Sequence, residues 1–424
     1  MKKLKVLFVA LMALVTTTAW AQLTDGDYFI QNVGSGAWLG GANDWGTQAS
    51  TIEHPMVFTL KVESAGVYSL DSHTYNNNDQ HFFTGTYVDG AKTNLYIREV
   101  NSGIYTISTA DGSAYAKAKS NSVWAIVAND GSDPSSTLAQ WRFISKNAIL
   151  ASCKNATPTN PVDMTGFIKA ANFGRNHFNP NFENAWTRQG YNTTDAVANC
   201  NISGGNNTNC CAESWKSSNG FNIYQTITVP NGTYKFKAQA AYNDYDNLGT
   251  DLPVVYCNDV AVSTNPLANG EDNLAELSNN FKNGQYNTPE GEVTVTNRTI
   301  TIGIKSSRTN IWCMWDNFQL YYVSPLDLSD FQTTLQNAVN EAKGLKDKAM
   351  NATVLTNLTK AITDYDNAEY DNEDDYTAAI EKANTAVNNA KASIAIYEQI
   401  AALNAKVAAY DEDGKASYAT TLSP

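Results

Sequence analysis

The chain has 424 residues and sets 42 acidic against 29 basic side chains, a formal net charge of −13. That balance argues against nucleic-acid and anionic-membrane binding, both of which need clustered Lys and Arg. Charged residues are only 17% while Asn, Thr, Ser and Tyr are abundant, which points to neutral hydrogen-bonding surfaces built on β structure.

Met1-Lys2-Lys3-Leu4-Lys5 is basic, Val6 to Val15 is apolar, and Ala19-Trp20-Ala21 gives the small-x-small pattern of a cleavage site. Residues 1–21 therefore read as a secretory signal cut before Gln22. The apolar run is about half of the ~20 residues a membrane span needs. The residue after the cut is Gln22, not Cys, which argues against a lipid-anchored precursor. The expectation is a protein that is secreted or held at the cell surface, with no membrane insertion. The remaining length fits roughly two to four domains.

From residue 22 to 147, aromatic strand starts recur at Tyr28-Phe29-Ile30, Tyr68-Ser69-Leu70 and Tyr105-Thr106-Ile107. Each unit closes on a hydrophobic strand, Phe58-Thr59-Leu60, Leu95-Tyr96-Ile97 or Trp141-Arg142-Phe143. Three repeats of short strands split by Gly, Asn and Ser turns predict a closed all-β array, for which a β-trefoil is the compact solution. The segments DGDYFIQNVGSGAWLGGANDWGTQAS and LAQWRFIS resemble ricin-type β-trefoil modules of secreted bacterial proteins. The departure is Gln140-Trp141, where that family has a spaced Gln-x-Trp, and it weakens the case for a sugar pocket in the third unit.

From 161 to 323, Phe221 to Val229 alternates, Pro230-Asn231-Gly232 turns, and Tyr234, Phe236, Ala238, Ala240 and Tyr242 share one face. Asn-Gly between alternating strands predicts a hairpin. A second pair, Val293/Val295 and Ile300/Ile302/Ile304, turns at Asn297-Arg298, and Trp312 to Tyr322 is a long aromatic strand. The fold expected is a jelly-roll β-sandwich. NPNFENAW, FNIYQTITVPNGTYKFKAQAAY and WCMWDNFQLYYV resemble the first, middle and last strands of galactose-binding-like jelly rolls that serve as carbohydrate-binding modules.

After Ser324-Pro325, Ser329-Asp330-Phe331-Gln332 has a capping-box pattern. Helical spacing follows through Leu335 and Val339, through Leu355 and Ile362, and through Ile380 and Ile394. Residues 327–395 predict a three-helix bundle that resembles FIVAR-type modules of bacterial surface proteins, and 396–424 the start of a further helical module. The whole is a multidomain chain, all-β (trefoil, then sandwich) followed by an α-helical bundle.

All six Cys, at 153, 200, 210, 211, 257 and 313, precede the helical region. In an exported protein disulfides are the default, with zinc as the alternative, although only four His are present to assist. A Cys257–Cys313 bridge would stabilise by roughly 4 kcal/mol through loop closure, and Cys200 would pair with Cys210 or Cys211. Limited proteolysis is expected to cut near 156–161 and 324–328, between independently cored units.

No nucleophile elbow, His-Glu-x-x-His or P-loop is present, and Asp244-Tyr245-Asp246-Asn247-Leu248-Gly249 starts like an EF-hand loop but fails at Leu248 and Val255. What remains is aromatic placement, since sugar rings pack their C–H faces on Trp and Tyr while Asn, Asp and Gln take the hydroxyls. Trp45 in the trefoil, and Trp186, Tyr191, Tyr242 and Tyr245 around Asp244 in the sandwich, are the candidate glycan contacts; each alone reads first as a packing residue, and it is as a loop-borne group that they point to a ligand. Trp312 and Trp315 read as structural. The jelly-roll resemblance implies a structural calcium held by Glu183 and Asp316, against a turn-capping Asp316 and a solvated Glu183. The sequence reads as a non-catalytic glycan-binding protein whose partner is a polysaccharide. The other readings are accessory modules of a carbohydrate-active enzyme with its catalytic domain beyond residue 424, and a purely structural adhesin stalk.

Overall fold

The computed structural model describes residues 22–42, 47–74, 80–169, 171, 186–189, 211–216, 219–268, 276–277, 280–281 and 283–412, with side chains to 409. They divide into two compact units that part after Pro325.

The chain first lays down β1 (Gly26–Asn32), a hairpin of β2 (Trp38–Gly41) and β3 (Ala49–Ile52), then β4 (Val57–Ser64) and β5 (Val67–Asp71). It continues with β6 (Leu95–Asn101), β7 (Ile104–Ala110), a hairpin of β8 (Ser113–Ala118) and β9 (Val127–Gly131), and β10 (Trp141–Ser145). Antiparallel pairing runs β1 to β4, β5, β6, β7, β10 and back to β1, which closes a six-stranded barrel. The β2–β3 and β8–β9 hairpins and a bridge between Phe82 and Gly90 form its cap. They meet at β3, whose Ala49 and Thr51 N–H groups donate to Thr86 and Ala125. This is a β-trefoil, and the repeated strand starts and ends in the sequence are its six barrel strands.

The period-2 alternation of a strand explains the barrel core. Tyr28, Ile30, Phe58, Leu60, Tyr68, Leu70, Leu95, Ile97, Tyr105, Ile107 and Trp141 all point inward and are buried. Trp141 donates its indole N–H to the Ala116 carbonyl at 2.9 Å. It is a core residue of the barrel.

A short helix, α1 (Lys146–Ser152), leads into the sandwich. Its strands are β11 (Val162–Asp163), β12 (Thr187–Gln189), β13 (Ala212–Trp215), β14 (Phe221–Thr228), β15 (Gly232–Asp244) and β16 (Val254–Cys257). They continue as β17 (Val260–Ser263), β18 (Asn265–Pro266), β19 (Gly291–Val295), β20 (Thr299–Ser306) and β21 (Ile311–Ser324). One sheet has the order β12-β14-β20-β16-β17; the other centres on β15 and β21, with β11, β13, β18 and β19 at its margins.

Both hairpins expected at Asn turns are corrected by this topology. β14 pairs with β20, not with β15, and β19 pairs with β15, not with β20. Each Asn turn therefore carries the chain from one sheet to the other, and the two corners are stitched together. The Arg298 N–H donates to Asn231 Oδ1 at 2.7 Å, and the Val229 N–H donates to the Arg298 carbonyl at 3.0 Å. A local sequence pattern of two alternating strands around a turn is the same whether they pair or face each other.

The barrel keeps its own core, but a second apolar core is shared between the two β modules. One apolar cluster contains Phe29, Trp38 and Ile52 of the trefoil, Ile149, Cys153, Met164 and Phe167 of the connection, and the sandwich interior. Phe29 packs 6.4 Å from Trp38 and 6.0 Å from Phe167, ring centre to ring centre. A Cβ on Gly166 would meet the Phe29 ring at 2.5 Å and the Pro55 carbonyl at 3.0 Å, so glycine allows the close approach.

The expected Cys257–Cys313 bridge is also corrected. Cys257 lies on β16 and Cys313 on β21, in different sheets, and both are buried free thiols, as are Cys153 and Cys211. Each side chain acts as a small apolar filler in the interior. Burial pushes the Cys153 and Cys257 thiols up to about 12 and those of Cys211 and Cys313 well above their usual range. Cys200 and Cys210 lie outside the described residues.

The second unit holds α2 (Ser329–Leu345), α3 (Ala352–Tyr365) and α4 (Glu373–Glu412). Leu335, Ala338, Val339, Leu358, Val387, Ala390 and Ile394 form its apolar interior. The cap at α2 differs from the expected box: Ser329 is already helical, and Asp327 Oδ1 accepts from its hydroxyl at 2.7 Å and its N–H at 3.2 Å. α4 runs unbroken through residue 395, where a new module was expected, and at 40 residues it is about 60 Å long. Among the described residues no helix is long and apolar enough to cross a membrane.

Two outcomes follow from the shared core. Phe29→Ala should cost about 3–5 kcal/mol, and urea unfolding should show trefoil and sandwich signals moving together in one transition; separate transitions would contradict a common core. Limited proteolysis should release the helical unit by a cut at 324–328, whereas chains nicked at the exposed 157–159 turn should still co-elute as one β unit.

Candidate functional site at the loop end of the sandwich

Strand register gathers three connections at one end of the sandwich. Phe221 and Val254 lie opposite Ser306 and Lys305, while Asp244 and Trp215 lie opposite Ile311 and Trp312. The loops after Trp215, after Asp244 and after Ser306 therefore share this end.

Arg308 organises it. Its Nη2 donates to Asp244 Oδ1 at 2.5 Å, its Nη1 donates to the Thr250 carbonyl at 3.1 Å, and Asp246 Oδ2 stands 3.5 Å away. The Arg308 and Asp244 side chains are 8% and 10% exposed, so the pair is desolvated and held by paired charge and hydrogen bonds. Asp244 Oδ2 also accepts the Gly249 N–H at 3.0 Å. Asp244 is thus committed to pinning its own loop, not presented as a hydroxyl acceptor for a ligand.

The predicted contacts separate. Trp186 is fully buried, 5.0 Å from Phe318, and is corrected to a core residue; its Gly/Asn/Thr surroundings in sequence gave no sign of that. Tyr242 keeps the inward parity of β15, packs half-buried against the interior cluster, and burial raises its phenol. Tyr245 packs against a separate apolar cluster that includes Trp312 and Phe281. Trp45, Tyr191 and Glu183 lie outside the described residues. Asp316, the other calcium candidate, is fully buried on β21, and its Oδ1 accepts the Asn317 N–H at 2.7 Å. Among the described residues no group of three or more His, Cys, Asp or Glu could hold a metal ion.

Tyr245 has company that the sequence reading missed. Trp215, at the end of β13, is 44% exposed. Its ring lies 5.8 Å from Tyr245 and 5.3 Å from Trp312, both edge to face. Lys216, held at a φ of 47°, sets its ammonium 4.1 Å from the Tyr245 ring centre and 5.2 Å from that of Trp215, a cation–π arrangement. The Trp312 indole N–H donates to Glu213 Oε2 at 2.7 Å. The result is a rigid aromatic platform with an exposed indole, bordered by an ammonium and a carboxylate. Its signal was available: Trp215 lies in Ser214-Trp215-Lys216-Ser217-Ser218-Asn219-Gly220, a run of small and polar residues like Asn43-Asp44-Trp45-Gly46-Thr47.

Removing Arg308 leaves Asp244 buried and unpaired. Arg308→Ala should therefore cost about 3–5 kcal/mol in urea unfolding, whereas Asp246→Asn, at the 43% exposed partner, should cost under about 1 kcal/mol. Equal effects would contradict the assigned hierarchy.

No family model and no curated protein matches the chain. Solved structures similar to parts of it include a ricin B-like lectin from Macrolepiota procera in complex with lactose, at 11% identity and TM-score 0.25, covering 30% of this chain and 99% of that one. The Rhizoctonia solani agglutinin is similar at 17% identity and TM-score 0.23, covering 30% and 100%. TmCBM61 in complex with β-1,4-galactotriose is similar at 16% identity and TM-score 0.24, covering 36% and 96%. Likenesses of this size leave any functional reading to the residues of the site.

Proposed function

We propose that this is a non-catalytic glycan-binding protein, exported by its N-terminal signal, whose sandwich carries a sugar site at the Trp215 platform. The observation that carries this reading is a large apolar ring left 44% exposed yet fixed on two sides by Trp312 and Tyr245. A rigid exposed indole offers a flat apolar face at little entropic cost on binding, which suits the C–H face of a pyranose. Glu213 and Lys216 border it with an acceptor and donors for ring hydroxyls. The trefoil is the weaker candidate, because its third unit has Gln140-Trp141 in place of a spaced Gln-x-Trp.

Trp215→Ala should weaken binding to a glycan captured by the intact chain by about 10–100-fold, the 1–3 kcal/mol typical of a stacking contact, with little change in melting temperature. A glycan array followed by calorimetry measures this. Undiminished affinity in the variant would overturn the site, and a chain that captures no glycan would instead be a stalk.

A further inference from the structure

The other flank of the same loop end holds a second built feature. Phe221, Ile223 and Ile304 point into the core, so Asn222, Tyr224 and Lys305 face outward on the five-stranded sheet. Their end of the sheet opens into a cleft of about 560 Å³, floored by Phe221, Leu252 and Val254. That volume falls within the range of small-molecule sites, roughly 300–1,000 Å³, and the cleft is open, not enclosed.

A hydrogen-bond chain orders its polar wall across the strands. The Tyr256 hydroxyl donates to Asn222 Oδ1 at 2.8 Å, Asn222 Nδ2 donates to Gln189 Oε1 at 3.4 Å, and Gln189 Nε2 donates to the Tyr224 hydroxyl at 3.2 Å. Gly303 lies between Tyr224 and Tyr256 in register. A Cβ there would meet the Ile223 carbonyl at 2.3 Å and Tyr224 Cβ at 2.8 Å, so only glycine lets the tyrosines flank it. Lys305 Nζ stands 4.4 Å from the Tyr256 ring centre. Each amide keeps hydrogen-bonding capacity beyond the chain, one N–H and further carbonyl lone pairs. Side-chain amides fixed in advance over an apolar floor suit a ligand rich in hydroxyls and C–H faces, and they bind it without the entropic cost of ordering them.

We propose that this cleft is a second carbohydrate site, separate from the Trp215 platform, that takes a neutral glycan chain lying along the sheet. Neutrality follows from charge: Lys305 shares the cleft with Asp251, and a protein of net charge −13 repels polyanions. The site stands on its own geometry and does not need the platform to bind.

Native affinity gels of the full chain, cast with soluble galactan, xyloglucan, glucomannan, β-glucan or polygalacturonate, test it. Gln189 and Lys305 are exposed, so the Gln189→Ala/Lys305→Ala double variant should keep the parent melting temperature. At least one neutral polymer should retard the parent, and the double variant should lose about tenfold or more in affinity for it. Trp215→Ala should keep part of that retardation. No retardation by any neutral polymer, retardation by polygalacturonate alone, or a double variant that binds like the parent would each overturn the proposal. Failure of the platform shows differently, as a Trp215→Ala variant with parental affinity in every gel.

Discussion

The long strand that carries the platform is anchored beside the apolar seam where Phe29 of the barrel meets Phe167 of the connection. Burying a phenylalanine contributes about 1.5–3 kcal/mol, and here the same rings close two modules at once. The seam also fixes register. Next to Phe167, Met164 donates its N–H to the Leu320 carbonyl at 2.8 Å, and the Leu320 N–H donates to Thr165 Oγ1 at 3.2 Å. Those bonds set β21 against the trefoil side of the molecule. β21 in turn carries Trp312 and lies along β15, which ends at Asp244. The aromatic platform is thus located by packing that begins in the other β module.

The barrel was legible in the sequence because its alternation is strict and its units repeat. Tyr28, Tyr68 and Tyr105 mark the same strand three times, and the pairing pattern follows once three units must close. The sandwich was legible in class but not in connectivity. Asn231-Gly232 and Asn297-Arg298 look like hairpin turns, yet both are corners, because nothing local records which of two facing surfaces a strand joins. Trp186 and Trp215 failed in opposite ways. Both sit among small polar residues, and only tertiary packing decides that the first is covered by Phe318 while the second remains half in water. The two cysteines on β16 and β21 were misread for a related reason: a buried thiol and a half-disulfide have the same sequence signature.

The loop end also shows how one sheet pair can present two surfaces of different character. Asp244 and Arg308 neutralise each other inside, so the charges that hold the loops are withheld from solvent. On one side the exposed chemistry is an indole with an ammonium and a carboxylate beside it; on the other it is amide and phenol. Each surface belongs to a different sheet, and the sandwich interior separates them. Their side chains can vary independently while the fold stays the same.

The four buried thiols carry a consequence of their own. A thiol whose ionisation is pushed up by burial, to about 12 for Cys153 and Cys257 and well above the usual range for Cys211 and Cys313, presents almost no thiolate at neutral pH, and thiolate is the reactive form. Reagents and oxidants can therefore reach these sulfurs only during transient openings of the interior. Cys153 at the seam and Cys257 and Cys313 on facing sheets act as clocks at three places in one β unit. The order in which they become modified would time the loosening of connection and sandwich, with no probe engineered into the chain.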